Sequence, residues 1–150
     1  MKENIFIEGD GKNPQIDFNR LTGDLILSGR SIPENAAKVY EPLVSWIEGY
    51  LESPRPTTNL RLNLEYFNTA TSIWLAKLTK MLCRIDKKDY SLFIHLYFDI
   101  EDYEDMDTED LKDLLSSLLD NIADINVNLA VKTYGVDDNG KILKESTILV

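Results

Sequence analysis

The chain has 150 residues, 43% of them apolar, and a formal net charge of −10. That is the size of one ordinary domain with apolar surface enough for its own core, and no apolar run approaches the roughly 18 residues of a membrane span. Met1-Lys2-Glu3-Asn4 lacks the basic-then-apolar pattern of a secretory signal, so a cytoplasmic location without membrane insertion is expected, and the single cysteine, Cys83, excludes an internal disulfide.

The charge is concentrated. Asp99 to Asp124 holds eleven acidic residues and one base, Lys112, while the rest of the chain carries fifteen of each sign. Such a segment repels a phosphate backbone, which argues against a nucleic-acid partner.

In chain order, Ile5 to Ile7 reads as a short strand and Gly9 to Pro14 as a loop. Gln15 to Phe18 and Asp24 to Ser28 flank a short connection ending in Gly23, the pattern of an antiparallel hairpin. Ser31-Ile32-Pro33-Glu34 fits a capping box, with Ser31 as N-cap and Glu34 three residues on, ahead of a helix over Pro33 to Leu51. Its apolar residues Ala36, Tyr40, Leu43, Ile47 and Tyr50 share one face, and Pro42 is expected to kink it.

Leu60, Leu62, Leu64 and Tyr66 then alternate with Arg61, Asn63, Glu65 and Phe67, a strand with one apolar face. Ala70, Ile73, Trp74, Leu78, Met81, Leu82 and Ile85 recur at helical spacing, giving a helix from Thr71 to Ile85. Tyr90 to Phe98 is apolar on both alternations, as in an inner strand covered on both faces, and contains the lone His95. An acidic loop from Asp99 to Asp107 leads into a helix from Thr108 to Ile122, and Asn126 to Tyr134 and Ile142 to Val150 read as two strands around Asn139-Gly140. Strands alternating with helices define a single-domain α/β fold, a mixed sheet with helices packed on it and a parallel βα part.

The junction between the fourth strand and the next helix carries Asn68, Thr69, Thr71 and Ser72, of which Asn68 or Thr69 is placed to accept hydrogen bonds from the first free N–H groups. A helix N-terminus also favours an anion, so a phosphate on Thr69 or on a ligand fits there, although a plain helix cap is the simpler reading of the residues alone.

No glycine-rich phosphate loop is present, and one histidine without a partner leaves little for a Ser-His-Asp arrangement or a metal site. The acidic loop 99–107 offers carboxylates for a hard cation but lacks the glycine of an EF-hand turn. A small ligand-binding, metal-binding or hydrolytic domain using that loop with Thr71 or Ser72 is therefore the alternative to a regulated binding module.

Ile16-Asp17-Phe18 with Thr22-Gly23, Gly29-Arg30-Ser31-Ile32-Pro33-Glu34-Asn35-Ala36-Ala37, Pro42-Leu43-Val44-Ser45-Trp46-Ile47 and Glu65-Tyr66-Phe67-Asn68-Thr69 closely resemble, over residues 14 to 125, the SiaC family of bacterial regulatory phosphoproteins. The resemblance implies a fold like the STAS-type anti-sigma factor antagonists, no catalytic activity, no cofactor and no metal. It also implies a partner switch. A cognate serine/threonine kinase phosphorylates the threonine of the N-T motif, a PP2C-type phosphatase removes the group, and one form binds a diguanylate cyclase in cyclic-di-GMP signalling and biofilm behaviour. Carried onto this chain, the phosphoacceptor is Thr69, and Asn68, Ala70, Thr71 and Ser72 with Pro33, Glu34 and Asn35 form the expected partner surface. Ala70 stands where the family often has serine and Ile73 where many members have lysine. The strands from Asn126 to Val150 extend past the family norm.

Overall fold

The order of elements is β1 (Ile5–Ile7), β2 (Gln15–Asn19), β3 (Asp24–Ser31), α1 (Ala36–Tyr50), β4 (Thr57–Phe67), α2 (Thr69–Leu82), β5 (Ser91–Asp99), α3 (Ile100–Asp105), α4 (Thr108–Leu119), β6 (Asn128–Val136) and β7 (Ile142–Leu149). The computed structural model that places them describes residues 3–120, 122 and 125–150. The strands form one seven-stranded sheet in sequence order, with β3 to β6 mutually parallel and antiparallel partners at both ends. This is the α/β class with the mixed sheet that the alternation of elements implied.

Period-two burial fixes the layers. Ile16, Phe18, Leu25, Leu27, Leu60, Leu62, Leu92, Ile94, Leu129 and Val131 point to one side of the sheet and pack against Tyr40, Leu43, Trp46 and Ile47 of α1 and Leu75, Leu78, Met81 and Leu82 of α2. Trp46 is wedged between Phe18, edge-on at 5.3 Å, and Tyr50, stacked at 5.3 Å, which locks α1 onto β2. The hairpin between β2 and β3 closes through Gly23, whose φ of 77° is left-handed and whose N–H donates to Asn19 O at 3.0 Å.

Several expectations are corrected. Ser31 does not cap α1. It ends β3 with a buried hydroxyl, and α1 starts at Ala36 with Asn35 as N-cap, its side chain accepting from Lys38 N at 3.3 Å. The ring of Pro33 keeps Ile32 out of helical backbone, so the helix begins only after the proline; Glu34 pairs with Lys12 at 2.9 Å instead of reaching back, and the Ser31 hydroxyl is taken by Thr71 across the fold. Pro42 falls inside α1, as the spacing implied.

The first turns of α2 are set differently from the expected face, while Leu78, Met81, Leu82 and, past the helix, Ile85 are buried as expected. Thr71, Leu75, Leu78, Thr79, Met81 and Leu82 are buried, whereas Ala70 and Ile73 are exposed, and the helix ends at Leu82. Asp99 to Asp107 is not a loop but the short helix α3 and its ends; Ile100 and Tyr103 lie where a Cβ on Gly135 of β6 would meet them. α4 stops at Leu119; Asn121, which the expected helix includes, and Asp124, the last acid of the charged stretch, lie outside the described residues.

Among the described residues, β5 has helices on one side only. On the other, Phe93, His95 and Tyr97 line up across the register with Asn59 and Arg61 of β4 and with Lys132 and Tyr134 of β6, a layer of side chains rather than of helices. That layer suffices to bury His95.

Candidate functional site: the end of β4 and the start of α2

Asn68 decides where α2 starts. Its backbone is extended, its side chain accepts from Thr71 N at 2.9 Å, and its carbonyl accepts the first helical bond, from Ser72 N at 3.1 Å. Of the two residues placed to cap, Asn68 does so and Thr69 becomes the first helical residue. The N–H groups of Thr69 and Ala70 therefore open the helix with no acceptor in the preceding turn, the orphan donors of every helix start.

The hydroxyls of the junction have different fates. Thr71 is fully buried; its hydroxyl donates to Ser31 O at 2.8 Å and lies 2.8 Å from Ser31 Oγ, which lies 2.6 Å from Tyr40 Oη. Since the Thr71 proton goes to the carbonyl, Ser31 donates to Thr71 and Tyr40 donates to Ser31, a one-way chain with each hydroxyl donating once. Burial pushes the Tyr40 phenol above its ordinary range. Ser72 donates to Thr69 O at 2.7 Å and is half-buried, so Thr69 is the junction hydroxyl left exposed.

The same chain joins the two motifs. Asn68 N donates to Ser31 O at 3.1 Å, bringing the Gly29-to-Asn35 stretch beside the start of α2, where Glu34 and Asn35 are exposed and Pro33 is buried. Of the residues expected in a partner surface, Thr71 and Pro33 are buried, Thr69, Ala70, Glu34 and Asn35 are exposed, and Asn68 and Ser72 are partly so.

Around Thr69 stand exposed apolar side chains, of which Tyr66 and Ile73 fall on faces that the sequence pattern assigned to the interior. Tyr66 is 65% exposed, Phe67 45% and Ile73 66%. β4 carries an extra residue where Gly29 pairs with Leu64 and Arg30 with Tyr66, and the burial alternation ends at that bulge. The Arg30 guanidinium lies 6.0 Å from the Tyr66 ring centroid. Beside this patch a groove of about 570 Å³ opens between α2, α4 and the ends of β4 and β5, lined by Leu64, Leu75, Leu96, Phe98, Leu114 and Leu118 among others. The one sequence signal for the patch was Ile73, apolar where the family resemblance leads one to expect lysine in many members.

Three carboxylates of the acidic segment serve helix starts, and a fourth forms an ion pair. Asp99 accepts from Glu101 N at 3.1 Å, Asp107 and Asp110 form a reciprocal capping box, and Glu104 pairs with Lys144 at 3.2 Å. Among the described residues no group of three or more histidine, cysteine or acidic side chains is arranged to hold a metal. His95 has both ring nitrogens engaged, Nε2 with Asn59 Oδ1 at 2.8 Å and Nδ1 with Tyr134 Oη at 2.7 Å. Donation to the amide oxygen makes it the neutral Nε2–H tautomer, and burial, with the Arg61 and Lys132 charges, lowers its pKa to about 4.

Fold and junction together define a small two-layered α/β protein whose exposed feature is a threonine at a helix start, ringed by apolar side chains. Residues 7–129 match the model of the SiaC family regulatory phosphoproteins, and the chain belongs to that family. Apo-SiaC from Pseudomonas aeruginosa shares the fold, with a TM-score of 0.67 at 19% identity over 87% of this chain and 98% of that one. So does SiaC in the crystal structure of the diguanylate cyclase SiaD with its activator SiaC from the same organism, with a TM-score of 0.66 at 19% identity over 87% and 99%. An uncharacterised protein of P. aeruginosa strain UCBPP-PA14 is 30% identical over 67 residues, 45% of this chain and 53% of that protein, so the match spans about half the relative's length. Among the described residues no helix is long and apolar enough to cross a membrane.

Proposed function

We propose that this chain is a non-catalytic partner switch of the cytoplasm: a cognate serine/threonine kinase phosphorylates Thr69, a PP2C-type phosphatase reverses it, and the state of Thr69 governs binding to a diguanylate cyclase. The observation that carries this reading is the contrast at the junction, where Thr69 is exposed amid Tyr66, Phe67 and Ile73 while Thr71 is locked in a buried hydrogen-bond chain.

The physics of the switch follows from that placement. Phosphorylation adds about −1.5 to −2 charges and three acceptor oxygens. At the first helical residue these oxygens meet the orphan N–H groups and the positive end of the helix dipole, so the fold accommodates them. A partner that covers the exposed aromatics is in a different position, because it must desolvate the phosphate or leave. The complex of related SiaC with the cyclase it activates supports a cyclase as the partner class, and cyclic-di-GMP output and biofilm behaviour are then what the switch controls.

The test is phosphosite mapping of the protein from its own cells, followed by calorimetric titration of wild type, Thr69→Ala and Thr69→Glu against the diguanylate cyclases of the same organism. The phosphate maps to Thr69, alanine binds like wild type, and glutamate weakens binding by roughly tenfold or more, about 1.4 kcal/mol per decade. Equal binding by two folded variants reduces Thr69 to a surface residue and refutes the switch.

A further inference from the structure

The family match stops at residue 129, the second residue of β6, so all of β7 lies beyond it, as the outer strand of the sheet. The opposite edge is blunt, since β1 has 3 residues, whereas β7 runs for 8 residues without a proline. A long edge strand presents a row of backbone donors and acceptors to any strand that can pair with it. Its phase is fixed by Val150 N–H, which donates to Leu129 O at 3.1 Å, and by the pairing of Leu149 with Ala130, Thr147 with Lys132 and Glu145 with Tyr134. Backbone groups alternate in direction along a strand, so Val150, Ile148 and Ser146 bond to β6 while Leu149, Thr147 and Glu145 turn their N–H and C=O groups outward.

We propose that β7 pairs antiparallel with β7 of a second copy of this chain, about a two-fold axis through Ser146, joining the two sheets into one. Outward groups pair only with outward groups, which leaves three central axes. An axis through Glu145 sets two carboxylates directly opposite each other, a repulsive pair. An axis through Thr147 sets Leu149 against Glu145. The axis through Ser146 sets Glu145 against Thr147 and Leu143 against Leu149. Leu143 and Leu149 are exposed, at 48% and 82%, and this register makes them apolar partners twice over, once on each side of the axis. Lys144 is already held by Glu104 and meets only Ile148 across the axis. The bulge at Leu143, opposite Gly135 and Val136, marks the end of the paired segment. The contact is isologous and closes as a dimer. It stands apart from the reading of Thr69, because no residue of β7 lines the groove beside that site.

Size exclusion with light scattering at tens of micromolar protein then gives twice the 17.2 kDa chain mass. Thr147→Pro removes an outward donor and no bond to β6, and edge strands tolerate proline, so it yields a folded monomer. The register is read independently by cysteine cross-linking with diamide as oxidant. Two Ser146→Cys thiols face each other in a non-hydrogen-bonded pair with Cα atoms about 4.5 Å apart, inside disulfide range, and give a covalent dimer; Glu145→Cys and Thr147→Cys do not. Cys83 is buried, with its thiol pushed up to about 11, and adds no background. A monomeric wild type, a dimer that folded Thr147→Pro leaves intact, or cross-linking through Glu145→Cys or Thr147→Cys in place of Ser146→Cys overturns the proposal.

Discussion

Thr69 and Thr71 stand two residues apart, yet the structure assigns them opposite sensitivities. Thr71→Val keeps the shape of the side chain and removes its hydroxyl. The Ser31 hydroxyl then loses the acceptor at 2.8 Å, and the Ser31 carbonyl keeps only Asn68 N at 3.1 Å. A buried donor without an acceptor costs about 1–3 kcal/mol, and in a domain of this size each kcal/mol lowers Tm by about 2–4 °C. Thr69→Ala removes an exposed hydroxyl that caps nothing, so its effect stays within about 0.5 kcal/mol. Ser31→Ala breaks the same bond from the other side, and the double variant Ser31→Ala/Thr71→Val therefore costs less than the two singles together. Urea denaturation followed by circular dichroism measures all four proteins. If Thr69→Ala is destabilised as much as Thr71→Val, or if the two buried variants add fully, the one-way hydroxyl chain is wrong.

Lowering the pH from about 6.5 to about 4 weakens the fold through His95: the unfolded chain takes up a proton at the ordinary histidine pKa, whereas the native ring, depressed to about 4, does not, so its contribution is present above 6.5 and lost as pH falls. Urea midpoints at pH 7 and pH 5 for wild type and His95→Gln isolate that contribution, and an imidazole that titrates near 6.5 by NMR in the native protein contradicts it. Gly135→Ala drives a Cβ to 2.8 Å from Ile100 Cδ1 and 3.0 Å from Tyr103. Displacing α3 costs about 1–3 kcal/mol, read as a lower Tm. Thr69→Glu sets a carboxylate at the start of α2 and raises stability by about 0.3–1 kcal/mol, a gain that disappears in high salt if the dipole is its origin.

Elements whose cause is local were legible in the sequence, and those whose cause lies across the fold were not. Leu60, Leu62 and Leu64 against Arg61 and Asn63 announce β4, because strand period and one-sided burial are both written in consecutive residues. Ser31 misled because its hydroxyl is claimed by Thr71, 40 positions away in sequence, a contact no local motif reveals. The two-sided apolarity of Tyr90 to Phe98 suggested a strand covered on both faces; what covers His95 is Asn59, Tyr134 and their neighbours, which meet it only through the register of three parallel strands. The short helix α3 did leave a trace, since Ile100 and Tyr103 are three apart within the acids, but six residues are too few for periodicity to stand out. At the candidate site, Asn68 and Thr69 were found from the strand-to-helix change, while the exposure of Tyr66, Phe67 and Ile73 depended on a bulge and on the setting of α2.

That bulge makes the recognition surface a matter of counting rather than of composition. One residue beyond strict pairing lies between Leu64 and Tyr66 in β4, and past it two aromatic rings stand in solvent beside Thr69. Deleting Glu65 would restore the alternation, setting Tyr66 on the face of Asn63 and Phe67 on the face of Leu64, with no side chain near Thr69 exchanged for another. Variation in loop or strand length by a single position is thus enough to create or erase such a surface within this fold. Comparison of substitutions alone would not register the event.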